Sequence, residues 1–81
     1  MNPRVQNVKY QSPYKLIITF TNNEVREFDI TPYLQYPVYK PLQDKSFCSK
    51  AKAFNGTVLW DDTIDFDPDT LYLESKSLIT V

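Results

Sequence analysis

The sequence predicts an α+β fold: an antiparallel sheet, made of an N-terminal three-stranded meander and a C-terminal hairpin, with short helices around it. Three observations carry this reading. Apolar and β-branched residues alternate between turn signals over residues 5–30. Asn55-Gly56, which holds the chain's only glycine, separates two extended runs. Thr31-Pro32 and Asp67-Pro68 each place a capping side chain before a proline, the pattern of a helix start.

In chain order, Val5–Tyr10 reads as a first strand with Val8 and Tyr10 on one face, and Ser12-Pro13 turns the chain. Tyr14–Phe20 follows, with Leu16, Ile18 and Phe20 on one side and Lys15, Ile17 and Thr19 on the other. Asn22-Asn23 supplies residues that tolerate the left-handed conformation of a tight hairpin. Val25–Asp29 returns, aligning Arg26, Phe28 and Ile30. Thr31 is expected to cap a helix that must be short, because Pro37 constrains Tyr36 to extended backbone. An irregular or one-turn piece then runs to Leu42. Asp44 is expected to cap a helix over Lys45–Lys50 with Phe47 pointing inward.

The hairpin spans Lys52–Trp60, with the two-residue Asn-Gly turn whose twist matches its strands. Asp61-Asp62-Thr63 turns again, and Ile64–Phe66 extends with Ile64 and Phe66 facing in. Asp67 caps a helix of about two turns towards Ser75 that buries Leu71, and Asp69 complements its dipole. Residues 76–81 can fray or pair; the pattern does not choose. The expected core is Leu16, Ile18, Phe20, Phe28, Leu34, Phe47, Phe54, Val58, Trp60 and Leu71.

Composition narrows the chemistry. The 81 residues form one expected domain, 1–81, with 42% apolar residues, no histidine and one cysteine. A core this small supplies only about 3–5 kcal/mol of net stability, and natural domains of this size often add a disulfide, a metal or a partner. A lone Cys48 rules out an internal disulfide, so support from a partner protein is expected. Residues 1–52 carry a net +4 and residues 53–81 a net −5, a polarity that could orient the chain against a charged partner. The bases are scattered singly, so no direct nucleic-acid contact is expected. No run of eighteen apolar residues exists and Met1-Asn2-Pro3-Arg4 lacks the apolar stretch of a secretory signal. A cytoplasmic chain is therefore expected.

Catalysis and cofactor binding find little to work with. Asp65-x-Asp67-x-Asp69 begins like a calcium loop, but Thr70 stands where glycine is required and Lys76 where glutamate is. Turn and cap positions hold the aspartates in their charged form, which argues against acid–base work. Cys48 has no histidine to activate it and reads as a small buried residue. No catalytic, cofactor or metal site is expected, and the chain reads as a non-enzyme. Tyr33, Tyr36 and Tyr39 cluster between residues 31 and 42, and tyrosine is enriched at interfaces; the plainer alternative is that they cap the core edge with hydroxyls in water. With the acidic Asp61 and Asp62, they are the candidate partner-binding residues.

The order of features resembles a small bacterial family, domain-of-unknown-function family 2442. Pro3 and Val5–Val8 match its opening strand, Tyr14, Leu16 and Phe20 the second, and Arg26, Phe28 and Asp29 the third, with Pro32 and Leu34 after. Leu42, Asp44 and Phe47 look like its middle element, with the phenylalanine one place early. Trp60, Asp65, Asp67, Pro68, Leu71 and Tyr72 form the most specific block. The resemblance covers about residues 3–75. It implies an α+β fold and a bacterial cytoplasmic setting; members are sometimes fused to a helix-turn-helix domain or encoded beside another small protein, as toxin–antitoxin pairs are. The expected function is a protein-interaction module, antitoxin-like or regulatory, that binds the product of an adjacent gene or itself. The rival is a component of a DNA-associated regulator whose DNA-reading domain a partner supplies.

Calcium or zinc added to the protein should leave its melting temperature without a saturable shift. A rise of several degrees reversed by EDTA would contradict the reading of the aspartate run as turn and cap.

Overall fold

A computed structural model describes residues 2–61 and 64–78. Strands β1 (Val5–Gln11), β2 (Lys15–Phe20) and β3 (Val25–Asp29) form the expected antiparallel meander. The β2–β3 turn depends on Asn23 at φ 71°, a left-handed position that asparagine accepts. Alternation along β2 holds strictly: Leu16, Ile18 and Phe20 are fully buried. Two 3₁₀ helices, Thr31–Tyr33 and Pro37–Gln43, follow, and then the four-residue helix α1 (Lys45–Cys48).

Strands β4 (Lys52–Phe54) and β5 (Thr57–Asp61) make the predicted hairpin. Asn55 and Gly56 take φ 51° and 81°, the pair of positive values its turn needs. The short strand β6 (Ile64–Asp65) pairs with β5. Helix α2 (Pro68–Leu73) starts at Asp67, whose Oδ2 accepts from the Thr70 amide at 3.1 Å. After it, β7 (Lys76–Ser77) pairs antiparallel with β3, so the tail pairs as far as it is described; residues 79–81 lie outside the described residues. No helix among the described residues is long and apolar enough to cross a membrane.

The meander and the hairpin both form, but in two sheets, β1-β2-β3-β7 and β4-β5-β6. They meet where the Val5 amide donates to the Gly56 carbonyl at 2.8 Å. A Cβ at position 56 would stand 3.1 Å from the Arg4 Cβ, so the glycine serves both the turn and this close approach.

The core joins the inner faces of both sheets: Val5, Leu16, Ile18, Phe20, Phe28, Ile30, Leu42, Cys48, Val58, Trp60, Ile64, Phe66 and Leu71. Expected and observed sets differ for local reasons. Phe54 is 56% exposed, because it ends a three-residue strand with no buried position. Phe47 and Leu34 pack only partly against the core, while Cys48 and Leu42, their helical and 3₁₀ neighbours, are fully buried. Thr31 does not cap the first 3₁₀ helix. Instead Asp29 Oδ1 accepts from the Thr31 amide at 2.9 Å, two residues upstream.

One core-side position is charged. Arg26 shares its face of β3 with the buried Phe28 and lies opposite Ile18. Its guanidinium makes three hydrogen bonds there. Nε donates to Ser75 Oγ and an Nη to the Ser75 carbonyl, both at 2.8 Å. The other Nη reaches Glu24 at 3.1 Å, and the group lies 4.6 Å from the centre of the Tyr72 ring. Tyr72 donates its hydroxyl to Glu24, which holds that carboxyl below its ordinary range, with further help from Asn22 and Arg26. The apolar edge of β3 thus ends in a polar clasp on the C-terminal segment.

Phe66→Ala should cost about 3–5 kcal/mol, the usual range for a buried aromatic, whereas Phe54→Ala should change stability by less than about 1 kcal/mol. Denaturant unfolding of the two variants checks this; equal losses would contradict the observed core. Burial pushes the Cys48 thiol up to about 11 from 9.0. The neutral thiol is therefore favoured by the fold, and the unfolded chain ionises first. Its contribution to stability should be complete below about pH 9 and disappear as pH rises towards 11. A Cys48→Ala variant should lose that part of the alkaline fall in stability.

Candidate functional site

The tyrosine-bearing segment is held at both ends. Asp29 closes its start, and Tyr36, at φ −83° and ψ 137°, breaks the 3₁₀ path before Pro37 as a residue preceding proline must. The Gln43 side chain donates to the Leu34 carbonyl at 3.0 Å, tying the second 3₁₀ helix back to the first. Tyr14 donates its hydroxyl to the Gln43 carbonyl at 2.6 Å and fixes the far end to the meander.

Two of the three tyrosines turn inward. Tyr39 stacks on Phe66 with ring centres 4.5 Å apart and planes 3° from parallel. Tyr33 stacks on Phe28 at 5.4 Å and meets Phe66 edge-on at 5.3 Å. Tyr33 and Tyr39 also touch edge-to-face at 6.2 Å. These are the offset and T-shaped geometries that ring quadrupoles favour. Burial raises the pKa of both phenols, with smaller additions from Glu74 at Tyr33 and from Asp65 at Tyr39. Both hydroxyls stay neutral donors at physiological pH, and that of Tyr39 reaches the Asp65 carbonyl at 3.5 Å.

Tyr36 is different. Its ring lies 6.5 Å from that of Tyr33, yet the residue is 50% exposed, and Val38 beside it is 55% exposed. Sequence and structure therefore agree on a cluster, and the structure divides it: Tyr33 and Tyr39 support, Tyr36 and Val38 face outward. Val38 escapes a search for tyrosines, although an aliphatic residue between Pro37 and Tyr39 is visible in the sequence.

The acidic candidates are placed less centrally. Asp61 is exposed at the end of β5, and its Oδ1 accepts from the Ile64 amide at 3.1 Å. Asp62 lies outside the described residues. The carboxylates whose charge acts on the tyrosines are Asp65 and Glu74. Among the described residues no three His, Cys, Asp or Glu side chains are grouped to hold a metal ion, and no cleft is formed. Cys48 is buried, with its carbonyl accepting from Trp60 Nε1 at 2.8 Å, and its raised pKa keeps it a protonated thiol.

Residues 5–77 match the family described as "Protein of unknown function (DUF2442)", and the chain belongs to that family. No curated protein matches the chain. Among solved structures, it is similar to a crystal structure from Nitrosomonas europaea named "Putative DNA Binding Protein", at 28% identity and a TM-score of 0.81. The match covers 93% of this chain and 50% of that one, so the chain spans about half the length of its structural relative.

Proposed function

We propose that the domain is a non-catalytic protein-interaction module of the cytoplasm that docks a partner through Tyr36 and Val38. The observation that carries this reading is the exposure of Tyr36 and Val38 beside rings that pack against Phe28 and Phe66. The two side chains stand in water on a segment whose neighbours Tyr33 and Tyr39 are partly buried and pack against the core. An anchor held in place before binding loses little conformational freedom on binding. Tyrosine is also among the residues that dominate interface energies. The partner proposed is the product of an adjacent gene, in an antitoxin-like or regulatory pair. Carboxylates at Asp61, Asp65 and Glu74 would then favour a basic partner surface and speed its approach.

One finding favours the second reading, a component of a DNA-associated regulator. The Nitrosomonas europaea relative is named for DNA binding and is about twice as long. In that reading this chain makes no DNA contact itself and a partner supplies the reading domain.

Purified chain and adjacent gene product should form a complex in titration. Tyr36→Ala should weaken it by about 2 kcal/mol, or roughly thirtyfold in Kd, while leaving the melting curve unchanged. Asp61→Lys should slow association and reduce its salt dependence. Failure to bind at micromolar concentration, or full affinity in Tyr36→Ala, would overturn the docking proposal. A labelled DNA duplex retarded only when both proteins are present would favour the second reading.

A further inference from the structure

Asn55-Gly56 is chemically reactive as well as turn-forming. The side-chain amide carbon of an asparagine lies within reach of the backbone nitrogen that follows it, and only glycine leaves that nitrogen unshielded by a Cβ. Two separate constraints fix the glycine here. Gly56 sits at φ 81°, and a Cβ on it would stand 3.1 Å from the Arg4 Cβ. The asparagine is constrained as well, because φ 51° is a left-handed position open to few residue types. The fold therefore holds at this tip the dipeptide in which ring closure meets least hindrance. Asn55 is exposed, and among the described residues no hydrogen bond engages its carboxamide. The other four asparagines are guarded. Asn2 precedes Pro3, whose nitrogen has no proton to give up. Asn7 is paired with Thr19 inside β1 and precedes the β-branched Val8. The nitrogens after Asn22 and Asn23 are both engaged: the Asn23 amide donates to the Phe20 carbonyl at 2.9 Å, and the Glu24 amide to Asn22 Oδ1 at 3.1 Å.

We propose that Asn55 is a site of spontaneous modification that unfastens the two sheets from one another. The Gly56 nitrogen attacks Asn55 Cγ and forms a cyclic imide. The Cγ–Nδ2 bond breaks, and ammonia leaves with the proton that the Gly56 amide gives up. Water then opens the imide. Cleavage at Cγ leaves aspartate at this position; cleavage at the backbone carbonyl leaves isoaspartate, in which the main chain runs through the former side chain. Water is the one co-reactant, and nothing is oxidised or reduced. Isoaspartate puts an extra carbon into the main chain just ahead of Gly56 and abolishes the torsion that the turn sets at 51°. The Gly56 carbonyl is thereby drawn away from the Val5 amide that donates to it at 2.8 Å. The closed turn slows the reaction, because Asn55 must rotate out of its turn conformation before the ring can form. Local opening of the hairpin tip is the reactive event, and the isoaspartyl product does not return to the original turn.

The folded chain, held for several days in warm, mildly alkaline buffer and then digested for peptide mapping, should carry isoaspartate at position 55 in excess over aspartate. Methyl transfer by a protein isoaspartate methyltransferase identifies the linkage. Asn2, Asn7, Asn22 and Asn23 should stay intact over the same period. Urea sufficient to unfold the chain should speed the change at position 55 by about tenfold or more, because the opened tip is the reactive form. In the separated isoaspartyl product the Val5 amide should exchange its hydrogen about tenfold or more faster than in fresh chain. Asn55→Asp introduces the carboxylate without rerouting the backbone, so freshly prepared it should keep the slow Val5 exchange. Intact Asn55 after ageing, or earlier loss of another asparagine, overturns the assignment of the site. A rate that urea leaves unchanged overturns the role of tip opening. Val5 exchange that is unaltered in the isoaspartyl product, or equally fast in Asn55→Asp, overturns the unfastening of the sheets by the rerouted backbone.

Discussion

Rings from three separate parts of the chain converge on Phe66. Phe28 reaches it from the meander at 5.2 Å, Trp60 from the hairpin at 5.7 Å, and Tyr33 and Tyr39 from the 3₁₀ segment. None of these elements could hold its position alone. The hairpin sheet has strands of two to five residues, and 3₁₀ helices have poor hydrogen-bond geometry. Phe66 belongs to no regular element, yet it joins them through the side-chain packing that a small domain must rely on. The Thr57 hydroxyl donates to its carbonyl, and its amide donates to the Val58 carbonyl at 3.1 Å, so the ring is fixed by its own backbone.

The outward face depends on that hub. The second 3₁₀ helix starts at Pro37, Tyr39 on it stacks on Phe66, and Tyr36 and Val38 on either side of that start stand in water. The exposed pair thus stands on the same short segment whose Tyr39 packs inward. The Arg26 clasp plays a corresponding part on β3, where a charged residue on an inward position meets hydrogen-bond partners and a ring.

Elements governed by nearest neighbours were legible in the sequence. Asn55-Gly56 declares its turn, Asp67-Pro68 its cap, and Leu16, Ile18 and Phe20 their face, because each signal acts within a few residues. What depends on distant partners was not. The pairing of β7 with β3 rests on two residues with no strand pattern, and the two sheets are joined by an amide meeting the Gly56 carbonyl, which lies far from Val5 in sequence. Phe54 looks like core by composition, but the hairpin presents it outward. At the candidate site the tyrosine cluster was visible as a cluster, while its division into supporting and exposed rings required Phe66, whose role emerges only when residues 28, 33, 39 and 60 are brought together.

The junction at Gly56 has a consequence for how this chain can vary. Hairpin tips are ordinarily where a protein absorbs insertions, because nothing else leans on them. Here the tip is also the joint between the sheets, with Arg4 lying against it and Val5 bonded to its carbonyl. Lengthening that turn by one residue would shift the carbonyl that the first strand uses as its landing point. The surface position that looks freest to drift is therefore tied to the register of the whole N-terminal strand.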